Sequence, residues 1–170
     1  MVELAREHAA GAADLRVLAL PDDPLPPADA VVSVGHVVSY LDDEKAVERA
    51  LLAIAAAVRP GGLFVLDICD LEWGAARRDA PNHSRVEDDW VIVTRFSTPS
   101  PERFVRDITT FVRRDDGAWR RGDERHDNVL IDSAEIPALL AGSGVDVTVG
   151  AAFGSEILPV GLRVVVGRRA

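Results

Sequence analysis

DAVVSVGHVVSYLDDEKAVERALLAIAAAVRPGGLFVLDIC, residues 29–69, is the stretch whose reading decides the fold. Residues 29–34 form a nearly continuous β-branched run closed by Gly35, the pattern of a strand buried on both faces of a parallel sheet. Asp42 or Asp43 is placed to cap a helix running to Val58, in which Val47, Leu51, Ile54 and Val58 share one face. Arg59-Pro60-Gly61-Gly62 stops that helix, because proline removes an amide and glycine permits a left-handed turn. Residues 63–69, LFVLDIC, then read as a second buried strand. Strand, helix and strand make one βαβ unit, whose crossover is right-handed by rule and whose strands lie parallel.

Working outward, residues 2–10 are helical in propensity with Gly11 as the stop. Residues 14–20, DLRVLAL, read as a strand ended by PDDPLPP. After Asp70 the character changes. Residues 71–89 are polar and irregular, and three strand-like runs follow at 90–97, 103–114 and 118–131. They are separated by Thr98-Pro99-Ser100-Pro101 and by Asp115-Asp116-Gly117, a strong hairpin signal. The middle run carries polar residues on both faces, so 71–131 is expected to be an antiparallel β insertion that covers something, a lid. A short helix from Ser133 and strands at 145–153 and 162–169 close the chain. The expected fold class is α/β, a single domain over 1–170.

Composition narrows the function. The 170 residues are 48% hydrophobic and 28% charged, which suits one globular core. Lys and Arg number 19 against 28 Asp and Glu, a net charge of −9, so the basic footprint of a nucleic-acid binder is missing. The apolar runs fall short of the ~20 residues of a membrane span, and residues 1–11 lack a signal peptide's apolar run. A cytoplasmic protein without nucleic-acid or membrane partners is expected. Cys69 is the only cysteine and the four histidines are scattered, so neither an internal disulfide nor a structural metal is expected.

In combination, DAVVSVGHVVSYLDD, EKAVERALLAIAAAVRPGGLFVLDI and EIPALLAGSGVDV (135–147) resemble the class I S-adenosylmethionine-dependent methyltransferases, in particular the small-molecule N- or O-methyltransferases of bacterial metabolism. They are similar to that family's fourth strand, its following helix and fifth strand, and the helix before its sixth strand. The resemblance implies a partial Rossmann-like methyltransferase sheet, mostly parallel with its last strand antiparallel, carrying the antiparallel insertion. It runs from Val2 to Arg169 but covers only the latter part of the family's fold. The family's Gly-rich turn after the first strand and the acidic residue ending the second have no counterpart, so an N-terminally truncated domain is expected. In the family's strand order the absent strands sit between the third and fourth. Their loss leaves 14–20 without neighbours and exposes the flank of 29–34, an edge that invites a second chain. A homo-oligomer or a complementing chain that carries the cofactor half is the expected partner. The acidic residue that relatives place near the end of the third strand is replaced by Ala19, with Asp22 and Asp23 nearby in the loop.

The resemblance implies S-adenosylmethionine as cofactor, S-adenosylhomocysteine as product and a small-molecule substrate. Cofactor contacts are expected at Ser33, Gly35, His36 and Asp22. His36, Asp70 and His126 are the candidates for proton removal, with Asp127 an orienting carboxylate for His126. Tyr40, Asp67 and Trp73 are candidate substrate contacts at or near the carboxyl ends of the strands, the edge where open α/β sheets bind ligands. Each also has a plain structural reading: a loop histidine, a packed aromatic, a solvated strand-end carboxylate that caps the next turn. Two other functions stay open. One is a non-catalytic, methyltransferase-like binding or oligomerising module; the other, a dinucleotide oxidoreductase, also requires the Gly-rich turn.

Overall fold

The computed structural model describes residues 2–9, 11 and 14–170. Helix α1, Val2–His8, matches the propensity of its sequence and buries none of its side chains. Ala10, the last residue expected in this helix, lies outside the described residues.

The predicted βαβ unit is present. Strand β1, Ala28–Ser33, leads through a 3-10 turn at Val37–Tyr40 into α2, Glu44–Ala57, and then into β2, Val58–Cys69. Asp43 is the N-cap of α2, accepting from the Ala46 N–H at 2.7 Å. Val47, Leu51, Ile54 and Val58 are all buried, as their spacing predicts, against Phe64, Leu66 and Ile68 of β2. Arg59-Pro60-Gly61-Gly62 interrupts the parallel pairing rather than preceding the strand: Ala28 faces Val58, but Ala30 faces Leu63, and Gly61 takes φ 79° in the bulge. The end of this unit continues into a short helix α3, Leu71–Ala75, inside the region expected to be irregular.

Two expectations fail together. Residues 14–19 form no strand, and Leu20–Asp22 is a turn in which Ala19 N–H donates to Asp23 Oδ2 at 2.7 Å. The reason is pairing: a strand persists by its ladder, and no described strand lies beside this segment. Strand β1, expected to be central and buried on both faces, is an edge strand whose only neighbour among the described residues is β2. Val31 packs against the core on one face, while Val32 on the other is 68% exposed and Val34, just past the strand, 67%. The flank that the resemblance leaves bare is bare.

The second sheet holds four strands, β3 (His83–Val86), β4 (Trp90–Ser100), β5 (Arg103–Arg113) and β6 (Trp119–Val129), antiparallel in that order. Strand β3 is one more than the sequence shows, since its four residues are all exposed and carry no apolar alternation. Strand β4 runs through the expected Thr98-Pro99-Ser100 turn, with the register slipping between Ser97 and Ser100. Beyond it, a 3-10 turn at Ser133–Glu135 leads into α4, Ile136–Leu140, and then come β7 (Val145–Gly150), the small hairpin of β8 (Ala152–Phe153) and β9 (Glu156–Ile157), and β10 (Leu162–Arg169). The main sheet has the order β1-β2-β10-β7, with β1 parallel to β2 and β10 antiparallel to both β2 and β7. Helices α2 and α4 cover one face of it. A smaller cluster of Cys69, Phe104, Leu130 and Leu162, flanked by Trp73, Phe96 and Leu158, joins the end of β2 to the second sheet. Among the described residues no helix is long and apolar enough to cross a membrane.

Candidate functional site

The carboxyl ends of β1 and β2 gather most of the polar residues singled out in the sequence. Past Ser33 the chain turns through two consecutive left-handed residues, Gly35 at φ 97° and His36 at φ 47°. Gly35 suits this turn because a side chain there is strained, and the space on its Cβ side is open. The turn brings His36 over β2. Its backbone N–H donates to Asp67 Oδ1 at 2.9 Å, and its Nδ1 lies 3.8 Å from Asp67 Oδ2.

Asp67 is 3% exposed, and burial works against its ionised form. The hydrogen bonds from His36 outweigh that cost and hold its carboxyl below the usual aspartate value. Nδ1 of His36 is buried without a hydrogen-bond partner, and the Asp67 carboxylate stands 3.8 Å from it, a charge that favours a proton on that nitrogen. The proton of a neutral His36 therefore belongs on Nδ1, which leaves Nε2 with its lone pair and, among the described residues, no hydrogen-bond partner.

Tyr40 stacks on His36 with ring centroids 5.6 Å apart and planes within 18°. Its hydroxyl reaches Nδ1 of His126 on β6 at 2.8 Å. Trp73 of α3 also lies near His36, with ring centroids 6.2 Å apart, and meets Phe104 edge to face; Phe104 in turn stacks on Phe96. Arg77 lies over the Trp73 ring, 3.2 Å from its centroid. The aromatic row thus begins on the main sheet and ends on the second, and Trp73 Nε1 is buried without a partner. Arg103 of β5 adds a further tie between the two sheets, donating to the Asp42 carbonyl and to Asp127. Asp127 is thereby engaged with Arg103 and does not orient His126.

Asp70 accepts three hydrogen bonds. Its Oδ1 accepts from Glu72 N–H at 2.9 Å, which caps α3, and its Oδ2 accepts from both Ser133 N–H at 3.0 Å and Ser133 Oγ–H at 2.5 Å. Burial opposes ionisation, yet these donors hold the carboxyl below its ordinary value. With three donors on its carboxylate, Asp70 ties β2 to the segment after β6. Ser33 ends β1 opposite Leu66, next to the turn. Asp22 is exposed in the turn after Leu20, and the structure brings it into no contact with the cluster. Cys69 is buried, its N–H donating to Ser39 Oγ at 3.0 Å, and burial pushes its thiol up to about 12, so it is inert at neutral pH.

Three contributors escaped the sequence reading. Ser39 anchors the 3-10 turn to β2. Arg106 approaches His126 Nδ1 at 3.4 Å, and Glu124 approaches its Nε2 at 3.4 Å. The alternation of β5 and β6 carries the signal for the last two, since Arg106 and His126 are register partners and Glu124 sits two residues from His126 on the same face.

S-adenosylmethionine needs close backbone approach at a Gly-rich turn and an acidic residue for its ribose. The described residues hold no Gly-rich turn between a parallel strand and a helix, and Gly35 is the one glycine at the carboxyl end of β1. Ser33, Gly35 and His36 lie together at the end of β1, and the described residues do not fit the whole cofactor.

No family model matches the sequence, and no curated protein matches it. Solved structures do match the fold. An S-adenosylmethionine-dependent methyltransferase from Clostridium acetobutylicum superposes with a TM-score of 0.83 at 13% identity, covering 99% of this chain and 69% of that one. A sugar N-methyltransferase from a Streptoalloteichus species gives 0.73 at 20% identity, covering 98% and 67%. An amino pentose methyltransferase from Micromonospora echinaspora, solved with its methyl donor bound, gives 0.66 at 19% identity, covering 99% and 69%. This chain therefore spans about two thirds of the length of each neighbour, and its fold is the α/β fold of S-adenosylmethionine-dependent methyltransferases.

Proposed function

We propose that this chain carries the substrate side of a methyl-transfer site, for transfer from S-adenosylmethionine to a nitrogen or oxygen of a small molecule, and that a second chain completes the cofactor side. One observation carries the reading: at the carboxyl ends of β1 and β2, the edge where open α/β folds hold ligands, a buried carboxylate sets a histidine with its free nitrogen outward. Bound there, the cofactor supplies an electrophilic methyl group. The residues of this chain do the rest. Asp67 fixes the tautomer of His36, Nε2 of His36 takes a proton from the methyl acceptor, and Tyr40 and Trp73 flank that nitrogen as walls of the substrate site. Strands β4–β6 close over the edge as a lid that excludes water, with His126 as their polar contact to it. Asp70 and Asp22 have no part in this assignment.

The open flank of β1 favours a second reading, a methyltransferase-like module that associates without catalysis. Labelled-methyl transfer from S-adenosylmethionine to a panel of small amines and alcohols separates the two. Enzymatic function gives turnover that falls by about 10²–10⁴-fold in His36→Gln. A folded assembly that binds the cofactor yet methylates none of the panel, or turnover indifferent to His36→Gln, contradicts the assigned role.

A further inference from the structure

Tyr40 is the only tyrosine of the chain, and its hydroxyl meets His126 Nδ1 at 2.8 Å across the gap between the two sheets. The direction of the proton in that contact decides what Tyr40 offers a ligand. If the phenol donates to His126, its oxygen shows lone pairs to the site; if His126 donates, the phenolic proton is free to point there.

The surroundings of His126 settle the direction. Nη2 of Arg106 lies 3.4 Å from the same Nδ1, and a guanidinium can only donate, so a proton on Nδ1 meets a second donor head on. On the opposite side of the ring, Glu124 Oε2 lies 3.4 Å from Nε2 and is an acceptor for a proton held there. Donors at one nitrogen and a carboxylate at the other select the neutral tautomer with its proton on Nε2.

We propose that His126 sets the polarity of Tyr40: it accepts the phenolic proton at Nδ1 and leaves the Tyr40 oxygen an acceptor toward the carboxyl-edge site, which then pairs with a ligand group bearing an N–H or O–H donor. His36, stacked beside Tyr40 with its Nε2 free, presents a second acceptor, so the two side chains discriminate against carboxylates and carbonyls. Arg106 and His126 are positioning residues here, acting through Tyr40. The identification of the ligand as the methyl acceptor rests on the methyl-transfer reading; the hydrogen-bond polarity does not.

Nuclear magnetic resonance of the chain labelled with ¹⁵N-histidine and ¹³Cζ-tyrosine tests this without cofactor or substrate. At about pH 8, above the ordinary histidine range, His126 is expected as the Nε2–H tautomer, and its Nδ1 signal shifts when Tyr40→Phe removes the donor. The single tyrosine signal moves in His126→Ala and returns toward its original position in His126→Asn, whose carbonyl oxygen replaces Nδ1 as acceptor. Arg106→Gln raises the population of the Nδ1–H tautomer. An Nδ1–H tautomer in the unmodified chain overturns the proposal, as does a tyrosine signal indifferent to His126→Ala while circular dichroism shows the fold intact. A folded assembly over β1 that never binds S-adenosylhomocysteine refutes the methyl-transfer reading and leaves these spectra unchanged, so the two failures are distinguishable.

Discussion

Asp67 and Asp70 stand three residues apart at the end of one strand, both buried enough to resist ionisation and both held ionised, yet their surroundings assign them different work. Asp67 spends its oxygens on His36; Asp70 spends its own on the first turn of α3 and on Ser133. No sequence pattern separates two carboxylates so placed, because the difference lies in which backbone N–H groups the fold brings to them. His36 was legible from its position after a β-branched strand, and Arg106 was not, because its role depends on the cross-strand register with His126. The folded-state value of Asp67 is lowered, so its contribution to stability is complete above the unfolded carboxylate range and is lost as pH falls through the lower folded value. Asp67→Asn is expected to cost about 1–3 kcal/mol at neutral pH. The gap between variant and parent narrows at about pH 3 and below, which urea denaturation at the two pH values measures.

At the scale of elements, helix α2 was the most legible piece because three independent signals agree over 14 residues: apolar period, N-cap and a Pro-Gly stop. Strand β1 was legible as a strand but not in its burial, because a β-branched run looks the same at the centre of a sheet and at an edge whose neighbour is absent. DLRVLAL has strand composition and no partner, and composition alone did not hold it extended in a ladder. Strand β10 shows the opposite case, in which packing rather than propensity chooses the residue. Gly167 faces the Phe64 ring so closely that a Cβ built there runs into its carbons, and Phe64 is fully buried beneath α2 and cannot retreat. Gly167→Ala is expected to lower stability by about 1–3 kcal/mol through overpacking, even though alanine is the better strand former. Thermal and urea unfolding of the two chains check this; equal stability shows that the ring has room to move.

For the molecule as a whole, the main sheet ends in β1 on one side and β7 on the other, and the β1 edge is the one beside the candidate site. Val32, Val34 and Val37, the last 50% exposed, line the open side beside the His36 turn, so a chain pairing with β1 arrives at the candidate site itself. The resemblance read from the sequence anticipated an open flank along 29–34, and among the described residues β1 is an edge strand. What the sequence did not carry was the join between the sheets, which Tyr40, His126, Trp73 and Phe104 make from segments far apart in the chain. The central claim is that this edge is a methyl-transfer site completed by a second chain. Calorimetric titration of the purified chain with S-adenosylhomocysteine, with light scattering on the same samples, tests it most directly. The account predicts no binding by the monomer and affinity near micromolar, about −8 kcal/mol, only in an assembly that covers β1, lost when Val32→Lys keeps the chains apart. Micromolar binding by a monomer contradicts the need for completion, and a folded assembly over β1 that binds nothing contradicts the methyl-transfer site.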